Sequence, residues 1–334
     1  MRDVQVRQRV EERVVVHRDQ RATVIRESLL VPPAPGAPPL AVERTVSPAG
    51  PSRPPVVLLH GFGQNRFSWR VSDRSLCAWL ADRGHEVLNL ELRGHGRSRD
   101  VGAHAADDLH DYVVDTLRVV GRCAAPPFLI GHSLGGAVGI GAATEAPVAG
   151  LIHLAGVYSF ATDSPALRAL ARATLAVEPA LRAAPIRVKT RVLGRLLGKL
   201  YGVAGVATAP LAGWVPGSME PALLEERLRD GFDWTSAAVW LQMCHWALGE
   251  PLRYASDFER LDRPLLVIAG DHDRLASPRD AQRCFDASGS TDKELLLLNR
   301  REHGTHWGHL DVILGAHAPE QVWTRMGAWL AARC

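Results

Sequence analysis

The sequence predicts an α/β protein with a mostly parallel, doubly wound sheet and a helical segment inserted into it. Three observations support this fold class. A unit of apolar run, glycine-rich turn and helical pattern recurs along the chain, a long helical stretch interrupts the series, and a serine flanked by glycines follows one of the apolar runs. Alternating strands and helices are typical of a parallel sheet that is covered by helices on both faces.

The N-terminal region is predicted to begin with two strands. Residues 13–17 and 23–25 are rich in β-branched side chains and flank a polar turn. Proline-rich stretches at 31–39 and 48–55 predict loops. Because residues 1–26 contain Arg and Glu throughout, they hold no apolar run of signal-peptide length, and we expect a soluble, cytoplasmic protein.

Short apolar runs mark the strands of the parallel sheet, since such runs are typical of strands buried on both faces. They lie at 56–59, 86–90, 128–130, 151–154, 265–268 and 295–298. Helical patterns at 76–82 and 109–120 lie between them.

The alternation stops after about residue 157, and residues 165–200 and 220–248 have mostly helical patterns. We therefore expect a helical cap or lid over the ends of the strands. The predicted division is an α/β core at 1–157, a cap at 158–262 and the core again at 263–334.

Composition excludes several classes of protein. The net charge is only +3, from 39 basic and 36 acidic residues, so the chain as a whole does not attract nucleic acid. Its five cysteines are scattered and form no C-x-x-C pair, which argues against a disulfide framework and a structural zinc site.

The strongest chemical signal is the segment Gly131-His132-Ser133-Leu134-Gly135-Gly136, a complete G-x-S-x-G. It follows a predicted strand and precedes a run of small residues, which is the context of a nucleophile elbow. A chance occurrence among 30 glycines is the alternative, and the strand before it and helix after it disfavour that reading. Ser133 is therefore the predicted nucleophile, and it needs a base and an orienting acid.

Two aspartates compete for the role of acid, in the turn after the strand at 265–268. Asp273 lies further out in the turn, where it can reach a histidine, whereas Asp271 directly follows the strand and suits a turn-stabilising role. We predict Asp273 and keep Asp271 as the alternative.

The predicted base is His309, which follows the last apolar strand after a loop and precedes a final helix. His303 and His306 are expected to be loop residues, with His306 as the fallback. The spacing of the three histidines, together with Asp311, also admits a metal site. Nothing else in the sequence supplies ligands at metal-binding spacing, so no metal or cofactor is predicted.

The oxyanion hole is predicted to consist of the backbone N–H groups of Phe62 and Leu134. Leu134 follows the nucleophile, and Phe62 lies in the turn His60-Gly61-Phe62-Gly63 after the first parallel strand. A phosphate-binding reading of these glycines is weak, because no third glycine and no Lys-Ser/Thr pair follows.

With these residues in place, the chain from about residue 55 to its end resembles the α/β-hydrolase superfamily. The resemblance rests on His60-Gly61-Phe62, Arg93-Gly94-His95-Gly96-Arg97-Ser98, the elbow and Gly270-Asp271-His272-Asp273, in that order. The segments 308–315 and 318–323 look like the end of acid lipases and polyhydroxyalkanoate synthases. That branch uses the histidine before Leu-Asp as base, which implies His309. Its synthases carry cysteine at the elbow, so Ser133 favours hydrolysis.

The resemblance and the triad together predict a serine esterase for carboxylic esters or thioesters with an apolar acyl group. Acyl transfer on the same scaffold and a non-catalytic binding protein are the alternatives. Dehalogenase and epoxide-hydrolase chemistry needs a carboxylate at the elbow and is disfavoured.

The predicted cap interleaves basic and leucine residues from 167 to 200. This pattern suits a solvated helix face over an acyl pocket, and contact with a lipid surface or an acidic acyl carrier is the alternative. Four tryptophans are expected to line or pack the cap, and the sequence leaves open which of them meets substrate: Trp214, Trp234, Trp240 and Trp246.

Overall fold

A large sheet organises the molecule. The computed structural model describes residues 1–161, 163–183, 187–189 and 213–334. In chain order the strands are β1 Gln5–His17, β2 Gln20–Val31, β3 Leu40–Val46, β4 Arg53–Leu59, β5 Arg70–Val71, β6 Arg74–Ser75, β7 His85–Glu91, β8 Phe128–His132, β9 Gly150–Leu154, β10 Arg187–Lys189, β11 Trp234–Ser236, β12 Leu265–Gly270 and β13 Lys293–Leu298. All but β10 and β11 form one sheet, in the order β13-β12-β9-β8-β4-β7-β3-β2-β1-β6-β5.

The strands from β13 to β7 in this order run parallel, and those from β3 to β5 add to the edge in antiparallel fashion. The predicted runs of apolar residues thus form the parallel part of the sheet. The sequence predicted the hairpin of β1 and β2, and the structure extends both strands by several residues.

Helices pack on both faces of the sheet, as predicted for a doubly wound fold. They are α1 Leu76–Asp82, α2 Gly96–Asp100, α3 Leu109–Val120, α4 Leu134–Glu145, α5 Pro165–Leu175, α6 Glu178–Ala183, α7 Pro221–Asp230, α8 Ala237–Ala247, α9 Ala255–Phe258, α10 Pro278–Ala287, α11 Arg300–His303, α12 Asp311–Leu314 and α13 Thr324–Ala331. One apolar cluster contains Tyr112 of α3 and Ile140 of α4, and the other contains Leu80 of α1 and Leu330 of α13. No helix in the described part of the chain is long and apolar enough to span a membrane.

Strand β3 was not predicted, because charged residues lie in its middle. Glu43 is buried, and its carboxylate accepts hydrogen bonds from Arg70 Nε at 2.7 Å and Nη2 at 2.8 Å. Burial opposes ionisation of Glu43, but Arg70, Arg26 and Arg66 hold its pKa below the ordinary value. A charge that is paired in this way can occupy a buried strand, although its residue type indicates exposure.

The predicted cap segment, residues 158–262, is called the insert from here on. It lies between β9 and β12 and contains α5 to α9. Within the stretches 165–200 and 220–248, which were predicted to be mostly helical, two short segments are strands. Residues 187–189 and 234–236 form the antiparallel pair β10 and β11. The basic and leucine residues at 191–200 lie outside the described part of the chain.

Candidate active site

Ser133 occupies a sharp turn between β8 and α4. Its backbone has φ 56° and ψ −124°, a region that residues with a side chain seldom adopt. A Cβ atom on Gly131 would lie 2.2 Å from the Gly135 carbonyl oxygen, and one on Gly135 would lie 2.1 Å from the Leu59 carbonyl oxygen. The turn therefore requires glycine on both sides of the serine, which explains the G-x-S-x-G spacing.

Asp273 and His309 form a buried pair beside this turn. Asp273 follows β12, and His309 lies in the loop between α11 and α12. His309 Nδ1 and Asp273 Oδ2 are 2.7 Å apart, and their side chains are 3% and 0% exposed. Since a carboxylate only accepts hydrogen bonds, Nδ1 carries the proton, and a neutral His309 presents the lone pair of Nε2.

The carboxylate of Asp273 is fixed from its other side as well. Its Oδ1 accepts hydrogen bonds from the N–H groups of Leu275 at 2.8 Å and Ala276 at 2.9 Å. Both oxygens are thus engaged, and the orientation of the His309 ring follows from them.

The loop of His309 is attached directly to the elbow. His132 Nε2 donates a hydrogen bond to the His309 carbonyl oxygen at 3.0 Å, and the two imidazole centres are 4.6 Å apart. Burial and the neighbouring His309 ring hold the pKa of His132 well below its ordinary value, so His132 is a neutral donor. The residue before Ser133 therefore holds the backbone of the loop that carries His309.

The turn after β4 lies on another side of Ser133. A Cβ atom on Gly61 would lie 2.8 Å from Ser133 Cβ, so only glycine allows this approach. His60 Nδ1 donates to the Gly61 carbonyl oxygen at 3.0 Å, and His60 Nε2 accepts from the Leu92 N–H at 3.2 Å. Burial, with His95 nearby, lowers the pKa of His60 to about 3, which keeps the ring neutral and able to accept.

Phe62 and Leu134, the predicted oxyanion donors, follow Gly61 and Ser133 directly. Leu134 is the first residue of α4, where backbone N–H groups have no partner within the helix. The side chain of Phe62 points to the insert, with its ring 5.8 Å from that of Trp240 in α8. The centre of the Trp240 ring in turn lies 6.5 Å from that of the Phe160 ring. Of the four tryptophans considered, Trp240 is therefore the one in ring contact with the Gly61–Phe62 turn.

Asp271 makes a second Asp–His pair, with His306. Asp271 Oδ2 and His306 Nδ1 are 2.6 Å apart, and Asp271 Oδ1 accepts from the Trp307 N–H at 2.9 Å. The side chains are 25% and 34% exposed, in contrast to the buried pair of Asp273 and His309. Asp271 thus joins the two loops, and His306 does not lie against Asp273.

Asp311 has a structural role that the sequence did not predict. Its Oδ2 accepts from the N–H groups of Gly308 at 2.7 Å and Val215 at 2.8 Å, and Ser218 Oγ donates to Oδ1 at 2.6 Å. Burial, with a smaller contribution from Asp273, raises the pKa of Asp311 to about 6 against these hydrogen bonds. Asp311 therefore fastens the loop of His309 to the insert and makes none of the histidine contacts that the metal reading of 303–311 required. The sequence feature that could have indicated this role is the Leu310-Asp311 pair directly after His309.

A cavity of about 400 Å³ opens beside Asp273, where α5 of the insert meets the start of α10. Ala161, Pro165 and Ala166 form its wall on the side of the insert, and Asp273 and Arg274 form part of the opposite wall. Its volume is within the range of small-molecule sites.

The model of the Alpha/beta hydrolase family matches residues 56–322. The chain belongs to the α/β-hydrolase family. Two of its curated relatives match short segments. Protein phosphatase methylesterase 1 of Bos taurus is 32% identical over 111 residues, which are 32% of this chain and 28% of that protein. Epoxide hydrolase B of Mycobacterium tuberculosis is 34% identical over 93 residues, 28% of this chain and 25% of the relative.

The curated relatives are thus matched over less than a third of their length. Among solved structures, the monoacylglycerol lipase of Paleococcus ferrophilus aligns with a TM-score of 0.63 and 18% identity, covering 88% of this chain and 99% of that one. This similarity extends over most of the chain and shows that the two proteins share a fold.

Proposed function

We propose that this protein is a serine hydrolase that cleaves carboxylic esters or thioesters with an apolar acyl group. The observation that carries the proposal is the buried pair of Asp273 and His309, whose loop is bonded to the elbow that presents Ser133. A nucleophile, a base and an orienting acid on three strand-end loops are the components that acyl transfer to water requires.

In the proposed reaction the Ser133 hydroxyl attacks the carbonyl carbon of the ester while His309 Nε2 takes its proton. The N–H groups of Phe62 and Leu134 donate hydrogen bonds to the oxyanion of the tetrahedral intermediate. The C–O or C–S bond then breaks, and His309 returns the proton to the departing alcohol or thiol. Water then attacks the acyl-enzyme while His309 takes a proton from it. The bond between the acyl carbon and Ser133 Oγ breaks, and His309 returns the proton to the serine. Asp273 stabilises the imidazolium in both stages.

The identity of the elbow residue supports this chemistry against that of the epoxide hydrolase relative. Epoxide opening through a covalent intermediate needs a carboxylate nucleophile, and this chain has Ser133 at that position. The methylesterase and lipase named above act on esters by their names, which agrees with a serine nucleophile.

The acyl group is proposed to bind between the core and the insert, and the insert (residues 158–262) would act as a cap over it. Phe62 and Phe160 supply apolar surface around Trp240, and the cavity beside Asp273 lies at the same junction. Apolar area of this kind favours an acyl chain by about 0.8 kcal/mol for each buried CH₂.

The test is a panel of p-nitrophenyl esters from acetate to decanoate, measured on the wild type, Ser133→Ala and the exposed control Ser52→Ala. We expect hydrolysis by the wild type and Ser52→Ala and loss of essentially all turnover in Ser133→Ala. A fluorophosphonate probe should label the wild type once, at Ser133. Labelling or turnover that survives in Ser133→Ala would exclude Ser133 as the nucleophile.

A further inference from the structure

Three metal-ligating side chains meet on the outer side of the two loops that carry Asp273 and His309. Asp271, His272 and His306 each place one ligand atom within 4.8 Å of the others. Asp271 and His272 follow β12, whereas His306 is more than thirty residues later in the chain. The local spacing of the sequence therefore gave no sign of this group.

The backbone around these side chains is already fixed. The Asp271 N–H donates to the Leu298 carbonyl oxygen at 2.9 Å, and the His272 N–H donates to the Trp307 carbonyl oxygen at 2.9 Å. The Trp307 N–H donates back to Asp271 Oδ1. The two loops thus present the carboxylate and the imidazoles from a common, hydrogen-bonded frame, as a preorganised metal site requires.

The donor atoms decide which cation fits. Two imidazole nitrogens and one carboxylate oxygen suit Zn²⁺ and its neighbours Ni²⁺ and Cu²⁺, whereas Mg²⁺ and Ca²⁺ prefer oxygen ligands alone. The His272 ring stacks on that of His306 with the ring centres 3.8 Å apart, and it has to turn out of this stack for both imidazoles to direct a nitrogen at one ion. His272 is exposed and the other two are partly exposed, so the ion can enter from solvent.

The ligand atoms lie near the spacing that an ion requires. Ligand atoms about 2.1 Å from a tetrahedral zinc ion are about 3.4 Å from each other, so atoms that lie within 4.8 Å of one another have to close by about 1.4 Å at most. The 2.6 Å contact between His306 Nδ1 and Asp271 Oδ2 would open by less than 1 Å if the ion took the place of the shared proton. Asp271 Oδ1 would keep its hydrogen bond to Trp307 during this change.

We propose that Asp271, His272 and His306 form a binding site for a divalent transition-metal ion of the zinc type. Water completes the coordination. The ion clips the loop of Asp273 to the loop of His309 and takes no part in the ester chemistry. The site is therefore independent of the proposed function.

The proposal is tested on untagged, metal-stripped protein in which the exposed thiol Cys334 is replaced by serine, because a thiol is a competing zinc ligand. Zn²⁺ is titrated calorimetrically into this protein and into its His272→Ala, Asp271→Asn and His104→Ala variants. His104 is an exposed histidine elsewhere on the molecule and serves as the matched control.

We expect one Zn²⁺ per chain, unchanged binding in His104→Ala, and affinity lowered by about 10- to 100-fold or more in the other two variants. Zn²⁺ should also raise the thermal midpoint of the parent and of Ser133→Ala, and raise that of His272→Ala by less at the same Zn²⁺ concentration. Because His272 is exposed, its replacement keeps the fold intact. Absence of binding in the parent, or equal affinity in parent and His272→Ala, would overturn the proposal whatever the esterase assay gives.

Discussion

Two parts of the candidate site are held by different forces. We call Asp273 and the loop of His309 the floor, and the ring contacts of Phe62, Trp240 and Phe160 the wall. On the floor, the Asp273 carboxylate accepts three hydrogen bonds and the His309 carbonyl accepts one, at 2.7 to 3.0 Å. On the wall, Phe62 and Phe160 contact Trp240 through rings whose centres are 5.8 and 6.5 Å apart. Directional bonds fix atoms to a fraction of an ångström, while ring contacts allow small displacements at little cost.

This difference corresponds to the demands of the proposed reaction. Proton transfer and attack require reacting atoms in a near-fixed geometry. Recognition of an acyl chain requires apolar area, which is not directional. Substitutions on the floor should therefore change the rate for every ester, and substitutions on the wall should change the preference among esters.

The largest expected effect distinguishes Asp273 of the floor from Asp271 of the outer pair. Asp273→Asn should lower kcat by about 10⁴, the loss known for a triad whose acid no longer holds the correct histidine tautomer. Asp271→Asn is the matched control and should retain kcat within about tenfold, because Asp271 contacts His306 rather than His309. Steady-state kinetics on one ester measures both. A larger loss in Asp271→Asn would assign the acid to the outer pair.

The second prediction concerns the attachment of the floor to the insert. Asp311→Ala leaves the N–H groups of Gly308 and Val215 and the hydroxyl of Ser218 without their acceptor. At about 1 to 3 kcal/mol for each buried unpaired donor, the free energy of unfolding should fall by about 3 kcal/mol or more.

Asp311→Asn is the control for shape, since its oxygen can accept both N–H bonds and its NH₂ group can donate to Ser218. Urea unfolding at pH 7 should show most of the stability retained. Equal losses in the two variants would mean that the charge of Asp311, and not its hydrogen bonds, holds the loop.

The contrast also explains which parts of the molecule could be predicted from sequence. The elbow was predictable because Gly131 and Gly135 are required by contacts shorter than 3 Å, so the geometry leaves a trace in residue identity. Helices α1 and α3 were predicted with their observed bounds because their apolar spacing is regular.

Other features depend on pairing across the chain, which one sequence does not display. Strand β3 could not be recognised because it contains Glu43, whose buried charge is paired with arginines of other segments, Arg70 foremost. Asp311 reads as a possible ligand until Val215 and Ser218 are seen to donate to it. The contact of Trp240 with Phe62 was equally hidden among four tryptophans.

The third prediction tests the wall. Trp240→Ala removes the ring that joins Phe62 to Phe160, and kcat/KM for the octanoate ester should fall about tenfold or more, the equivalent of roughly 1.5 kcal/mol of apolar contact. The acetate ester should lose less than about threefold, and Trp240→Phe should lie between. Leu196 and Leu197, the sequence-based choice for this test, lie outside the described residues. Equal losses on both esters would place the acyl chain elsewhere.

The smallest expected effect is a pH dependence of stability that originates in two buried histidines, His60 and His95. Burial lowers the pKa of His60 to about 3 and that of His95 to about 4. Their rings are 4.8 Å apart, and Asp233, Arg99 and Arg227 are the charged groups that face them. Both histidines take up protons in the unfolded chain before they do so in the folded one. Their contribution to stability is therefore complete above about pH 6.5 and is lost as the pH falls towards 4.

When the pH falls from 7 to 6, each of these two histidines should lower the free energy of unfolding by about 0.7 kcal/mol. Asp311 acts in the opposite direction, because its raised pKa favours protonation of the folded state as the pH falls through about 6. His95→Asn keeps a donor for the Arg93 carbonyl and removes one titrating group, so its stability should fall less steeply by about that amount. Urea unfolding at the two pH values measures the slopes, with the exposed His104→Ala as control. If His95→Asn and the wild type have the same slope, His95 is not held neutral in the fold.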